Sequence, residues 1–395
     1  MKFFSKLILI SFLLCATELS GIVCAETTEM QMSKTLKSER FVRSMHDDRD
    51  LDFQVMEPTG PESKSKIYIK KNSHIAIDSK GNIYVTGPKW VTEEGFAANG
   101  ISKISPTGAV TPMRLNISAG IEGIAVDKFD NIYLYEHYSS PSNAGRGGSE
   151  YSMFPAWDSL WERKSYSRIY KLTPDGNLKT FLGKNSNDLY YNFNVDSKGI
   201  LYVGSYLGLK KIDPSFFGST KVLLEYNNNP FSRFDQANPK TVFYFQPSIT
   251  KTAMDGNDNL YYVERHYPNK IEMNEYGNLT EGSADGQPHA VIMRYSREGK
   301  TSVFAGINKS IGAVDGVGAN AGFEQLIGLC IDDKGNLYTA EKMARTIRRI
   351  DQNGNAVTIA TNIGNDVLDV AVYGNSLYIL RKTGLDIIRK IDAIL

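Results

Sequence analysis

The chain has 395 residues, 41% of them hydrophobic, an ordinary proportion for a globular protein and ample for a large core. Its 45 Lys and Arg balance 44 Asp and Glu, for a formal charge of +1. This lacks the basic excess of a nucleic-acid footprint, so no nucleic-acid partner is expected.

Residues 1–25 read as a secretory signal. Lys2 and Lys6 form a positive end, Leu7 to Leu14 an apolar run, and Val23 and Ala25 are small enough to precede a cleavage site after Ala25. The apolar run is too short for a membrane span. A secreted, periplasmic or extracellular location is therefore expected. Cys15 and Cys24 would leave with the signal. Cys330 would remain alone in an apolar strand pattern, as a small core residue. Residues 26–61 are polar, mixed in charge and without periodicity, and are expected to form a flexible leader. The folded part is expected over 62–395.

From Ser65 onward one pattern recurs. The first strand of each unit ends in a short run: His74-Ile-Ala-Ile-Asp78, Gly123-Ile-Ala-Val-Asp127, Asn192-Phe-Asn-Val-Asp196, Lys251-Thr-Ala-Met-Asp255, Gly328-Leu-Cys-Ile-Asp332 and a degenerate Asp369-Val-Ala-Val-Tyr373. A tight turn follows, as in Ser79-Lys-Gly-Asn82. Its Gly, Asp or Asn tolerates positive φ, and the leading Asp can bond the turn's own backbone. A second strand such as Ile83-Tyr-Val85 or Leu337-Tyr-Thr339 comes next. Runs such as Ile101-Ser-Lys-Ile-Ser-Pro-Thr-Gly108 and Ile347-Arg-Arg-Ile-Asp-Gln-Asn-Gly354 open a second hairpin. Six such four-stranded units imply an all-β, six-bladed β-propeller, because one sheet cannot bury both its faces alone. The sixth unit runs out of chain after three strands. The leftover run Lys66-Ile-Tyr-Ile-Lys70 is expected to supply its fourth and close the ring.

These repeats resemble NHL repeats, with Ala305–Thr361 the nearest match and roughly residues 62–395 covered. Two departures are visible. The proline common before the first strand is absent, and the Asp usual after the second strand is Glu136, Glu264 and Glu341 in three units. The resemblance implies the fold. More distantly, the chain is similar to gluconolactonase and regucalcin propellers, which place acidic and Asn cation ligands at the heads of the inner strands. The matching positions here are Ser73, Glu122, Tyr191, Thr250, Ile327 and Leu368, and only Glu122 fits. His74 and Asn192 stand one residue further on.

Repeat register also assigns the loops. Turns between strands one and two, and three and four, are short and share one face. The long insertions His137–Ser167, Glu225–Ser248, Arg265–His289 and Gly306–Gln325 all fall on the opposite, top face, where function is expected. They carry aromatic residues with a few polar groups, a composition suited to ligand contact. Glu122 is expected at the top rim of the channel, with His74, Tyr191 and Asn192 beside it and Trp157, Trp161 and Phe231 as a wall. Glu136 with His137, and Glu264 with His266, are weaker ligand or metal candidates, since the second strand lies one step out from the channel. No cofactor is expected, with Ca²⁺ or Zn²⁺ as the alternative. Asn116, Asn278 and Asn308 head glycosylation sequons. The resulting expectation is a monomer that binds a small molecule, glycan or protein on its top face without catalysis. The alternatives are a lactonase, hydrolase or lyase at the channel mouth, and a protein-interaction platform.

Overall fold

The computed structural model describes residues 38–44, 55–56, 66–67, 69–70, 72–87, 90–91, 97–117, 120–139, 165–183, 192–205, 208–214, 219–225, 242–244, 248–266, 270–273, 279–281, 289–306 and 312–391. Each repeat is a four-stranded antiparallel blade with strands in chain order from the inside outward. Blade 1 contains Ile75–Ile77, Ile83–Thr86, Ala97–Ile104 and Val110–Leu115. Blade 2 contains Ile121–Val126, Ile132–Ser139, Ser165–Leu172 and Leu178–Leu182, and blade 3 Asn192–Val195, Leu201–Ser205, Gly208–Asp213 and Ser219–Glu225. Blade 4 contains Ser248–Met254, Leu260–His266, His289–Tyr295 and Thr301–Ala305, and blade 5 Leu326–Ile331, Leu337–Glu341, Thr346–Ile350 and Asn355–Ala360. Blade 6 supplies Val367–Tyr373, Ser376–Arg381 and Gly384–Arg389 from the C-terminal end of the chain.

The Asp that ends the inner strand of blades 1 to 5 builds the hairpin turn after it. Asp332 Oδ1 accepts from the amides of Lys334 (3.0 Å) and Asn336 (2.7 Å). Its Oδ2 accepts from Asn336 Nδ2 (2.9 Å) and the Tyr338 hydroxyl (3.0 Å). Asp78 and Asp127 make the same set with Asn82 and Tyr84, and with Asn131 and Tyr133. The spacing Asp-x-x-x-Asn-x-Tyr thus ties turn to second strand through one carboxylate. At the turn tips, Asp130 and Asp258 sit at φ 63° and 64°. Each bonds the Ser that opens the preceding blade's turn, Ser79 and Ser197 respectively.

Burial explains why the blades form a ring. Every adjacent pair encloses its own apolar cluster. Tyr84 and Ile101 of blade 1 meet Ile121 and Leu134 of blade 2, and Tyr135 meets Phe193 and Val203 across blades 2 and 3. Leu209 meets Ile249 and Tyr262, Val263 and Ile292 meet Leu326 and Leu337, and Ile347 meets Val370 and Ile379. Leu380 and Leu385 of blade 6 pack on Ile75 and Val85 of blade 1 and complete the circle.

The closing strand corrects the sequence expectation. Glu39–Ser44 pairs antiparallel with Gly384–Arg389, with Glu39 opposite Ile387 and Arg43 opposite Gly384. Lys66–Ile67 lies outside it, as a parallel fifth strand. Closure therefore comes from within the segment read as a leader. The physical reason lies in matched chemistry. Val42 is buried in the cluster between blades 6 and 1, and Phe41 meets Tyr378 edge-on at 5.6 Å. Arg40 Nε reaches Asp386 Oδ1 at 2.8 Å while Arg381 Nε holds Asp386 Oδ2 at 2.6 Å. Outside the ring, Val242–Tyr244, Lys270–Met273 and Leu279–Glu281 form a small sheet that joins the second and third insertions. No described helix is long and apolar enough to cross a membrane.

Candidate functional site

The inner strands surround a cavity of about 180 Å³. Its lining includes His74, Asn192, Lys251 and Asp369. These four are the first residues of the repeated run in blades 1, 3, 4 and 6. The same position is Gly123 in blade 2 and Gly328 in blade 5. Repeat register thus sets four polar side chains from four blades at one level of the ring.

Three of them form a cluster. His74 Nδ1 lies 2.9 Å from Asp369 Oδ2, and Lys251 Nζ lies 3.2 Å from Asp369 Oδ1. Lys251 Nζ is also 3.4 Å from His74 Nδ1. Asp369 Oδ1 additionally accepts from the Val370 amide at 3.0 Å. The side chains of Lys251 and Asp369 are only 13% and 10% exposed. Burial pushes the Asp369 carboxyl up, but Lys251 and then His74 outweigh it and hold it below its ordinary range. Burial first, then Lys251, pulls the His74 imidazole below its ordinary value, against Asp369. A neutral His74 beside an ionised carboxylate carries its proton on Nδ1, donated to Asp369. Nε2 is then left as a lone pair. Deeper in the channel Asn194 Nδ2 donates to Thr252 Oγ1 at 2.8 Å. Cys330 lines the cavity too, and burial, then Asp369 and Asp332, pushes its thiol well up, so it stays protonated and neutral.

The expected site residues separate on this geometry. His74 and Asn192 line the cavity. Glu122 is half-buried outside that lining, its carboxyl pushed up by burial and opposed by Lys70. His74 makes its polar contacts with Asp369 and Lys251 rather than with Glu122. Tyr191, Trp157, Trp161 and Phe231 lie outside the described residues. His137 Nδ1 is 3.4 Å from Ser167 Oγ, and burial lowers its pKa. His266 stacks on His289 at 5.0 Å and comes within 3.5 Å of Glu264 Oε2. Glu136 accepts from the Tyr170 hydroxyl at 2.9 Å and is fully buried. Its counterpart Glu341 pairs with the buried Arg348 at 2.8 Å. Arg348 in turn reaches the Val314 and Gly322 carbonyls and anchors the fourth insertion to blade 5. Among the described residues no three His, Cys, Asp or Glu side chains converge as a metal site would require.

Sequence reasoning passed over Lys251 and Asp369. The expected strand heads lie one residue earlier, on positions bulged out of the regular pairing in blades 2, 4, 5 and 6. The signal was present as a single column of the repeat, reading His, Gly, Asn, Lys, Gly, Asp in an otherwise apolar run.

The sequence matches no protein-family model and no curated protein. Among solved structures the chain is similar to a "Putative phosphatase" from Bacteroides thetaiotaomicron VPI-5482, with TM-score 0.50 and 14% identity over 89% of this chain and 79% of that one. It is also similar to an auxiliary nutrient binding protein from the same organism, with TM-score 0.47 and 12% identity over 90% and 77% of the two chains. A further similar structure is virginiamycin B lyase from Staphylococcus aureus, with TM-score 0.42 and 14% identity over 81% and 95%. At such identity a likeness speaks to fold alone.

Proposed function

We propose that this chain is an exported propeller of the NHL type that binds a small polar ligand at the top of its central channel. The observation that carries the reading is the Lys251–Asp369–His74 cluster bordering the cavity. Buried charges cost several kcal/mol each in desolvation, and apolar replacements are often neutral or stabilising. The fold does not need charge at this level, since blades 2 and 5 carry glycine there. A charged cluster at a cavity is better explained by what the cavity takes in. The export part rests on the charged, apolar and small-residue order of residues 1–25.

The test pairs the native protein with the double variant Lys251→Met, Asp369→Leu. Each is mixed with small acids, neutral polyols and amines and followed by thermal shift. A ligand present at 100 times its Kd stabilises the fold by about 2.7 kcal/mol. The double variant is expected to fold with unchanged or higher Tm and to lose every ligand-induced shift. Equal shifts in both proteins would remove the site from the channel. The Asp369–His74 pair favours a second reading, a hydrolase or lyase, because a carboxylate that orients an imidazole leaves Nε2 suited to proton transfer.

A further inference from the structure

We propose that the channel cluster is a site for a small carboxylate, taken up together with one proton that His74 receives. The inference rests on the binding reading above and assigns its ligand class.

The argument begins with what the cluster offers. Both Asp369 oxygens already accept hydrogen bonds, Oδ1 from Lys251 and the Val370 amide and Oδ2 from His74. Its charge is matched by Lys251. What remains at this level is donating capacity on Lys251 and Asn192, and at His74 Nε2 a lone pair that becomes a donor once protonated. An ammonium has three N–H donors, and among the described residues Lys251 directs one at Asp369 and approaches only His74 besides. Asn192 lines the cavity, and its amide group has no hydrogen-bond partner among the described residues. His74 Nε2 likewise has none among the described residues. A site with donors to give and its carboxylate already occupied suits an acceptor-rich group rather than a cation. A cavity of about 180 Å³ suits a small organic acid.

Charge then requires the proton. Lys251 positive, Asp369 negative and His74 neutral sum to zero. An incoming carboxylate would leave a buried net charge of −1, which is costly. Protonation of His74 at Nε2 restores neutrality and turns that nitrogen into a donor to the new anion. The proton comes from solvent or from the acid itself, and no covalent bond changes. The other groups at this level do not substitute for it. Cys330 of blade 5 is neutral as the thiol, blade 2 offers Gly123, and blade 3 offers Asn192 and Asn194. Burial and Lys251 keep His74 neutral in the empty site, so the proton is taken up on binding and not before.

The experiment is titration calorimetry of the full chain with acetate, lactate and benzoate from pH 5.5 to 8.5. Two buffers of different ionisation heat report protons taken up per ligand. The expected result is uptake rising to about one proton above the His74 pKa, with affinity falling about tenfold per pH unit there. His74→Asn keeps an N–H for Asp369 and removes Nε2. It is expected to bind more weakly, with no proton uptake and flat pH dependence. Asn192→Leu, at the cavity edge, is expected to weaken binding tenfold or more without loss of fold. Proton uptake persisting in His74→Asn would overturn the inference. So would the failure of all three acids to bind at 10 mM. In that case, shifts of the native protein by polyols or amines that vanish in Lys251→Met, Asp369→Leu would leave the channel reading standing. The absence of any shift would end both.

Discussion

Deleting Glu39–Ser44 should open the ring. Val42, 3% exposed, would lose its place between blades 6 and 1, a loss of about 1.5–3 kcal/mol. The Arg40–Asp386 pair adds about 0.5–1 kcal/mol, discounted because Arg40 is 37% exposed. The backbone bonds to Gly384–Arg389 add about 0.5–1.5 kcal/mol each. Together the loss comes to several kcal/mol, a large part of the 5–15 kcal/mol typical of a folded protein. Urea unfolding of native and deleted chains measures it, and hydrogen exchange locates it. Amides of Gly384–Arg389 should lose protection first, then those of blade 1. Unchanged midpoints with protection intact over 384–389 would refute the closure and return that role to Lys66–Ile67.

Other consequences are open to measurement. Asp332→Ala removes a carboxylate that four donors share and should cost about 3–5 kcal/mol by urea unfolding. Asp351→Ala, where among the described residues only the Asn353 and Asn355 amides bond the carboxylate, should cost clearly less. Arg348→Met leaves Glu341 buried without its cation and should cost about 3–5 kcal/mol, whereas Arg348→Met with Glu341→Leu should recover much of it. The folded His74 resists protonation relative to its ordinary 6.5, so between the two values the unfolded chain binds the extra proton. Stability from this group is therefore full above about pH 6.5 and lost as pH falls towards the folded value. Thermal unfolding of His74→Asn from pH 7.5 to 5 should show a shallower decline than the native protein, and parallel curves would refute the assignment.

The architecture was legible because its determinants are local and repeated. An Asp-x-x-x-Asn-x-Tyr hairpin, complete in four of the six units, carries its own turn chemistry, and six four-stranded units leave one way to bury six pairs of faces. Glu39–Ser44 was not legible in the same way. It has no repeat partner in sequence, and its evidence is complementarity with distant residues: Arg40 for Asp386, and Phe41 and Val42 for a gap between blades whose shape only the assembled ring defines. The channel cluster failed for a third reason. Lys251, Asp369 and His74 are separated by more than a hundred residues of sequence, and nothing local in any of the three runs marks a partner. Only their shared place in the repeat brings them to one level, and counting heads from Ser73 and Glu122 instead of His74 and Gly123 lands on positions that β-bulges displace in blades 2, 4, 5 and 6.

The two glycines of that level complete the physical account of the site. At Gly328 an added Cβ would stand 2.8 Å from the Val370 amide nitrogen and 3.1 Å from Asp369 Oδ1. Blade 5 therefore approaches blade 6 where the carboxylate has to sit, and a side chain at residue 328 would push Asp369 out of line with Lys251 and His74. The Gly328 carbonyl is meanwhile held by Thr339 Oγ1 at 2.6 Å, which fixes the inner strand of blade 5 at that distance. The column His, Gly, Asn, Lys, Gly, Asp is thus a division of labour around one ring. Ionisable members come from blades 1, 4 and 6, and glycine at 328 provides the space the carboxylate occupies. Because the backbone at each position is the same repeated strand, such a column can change its chemistry while the blades around it stay packed.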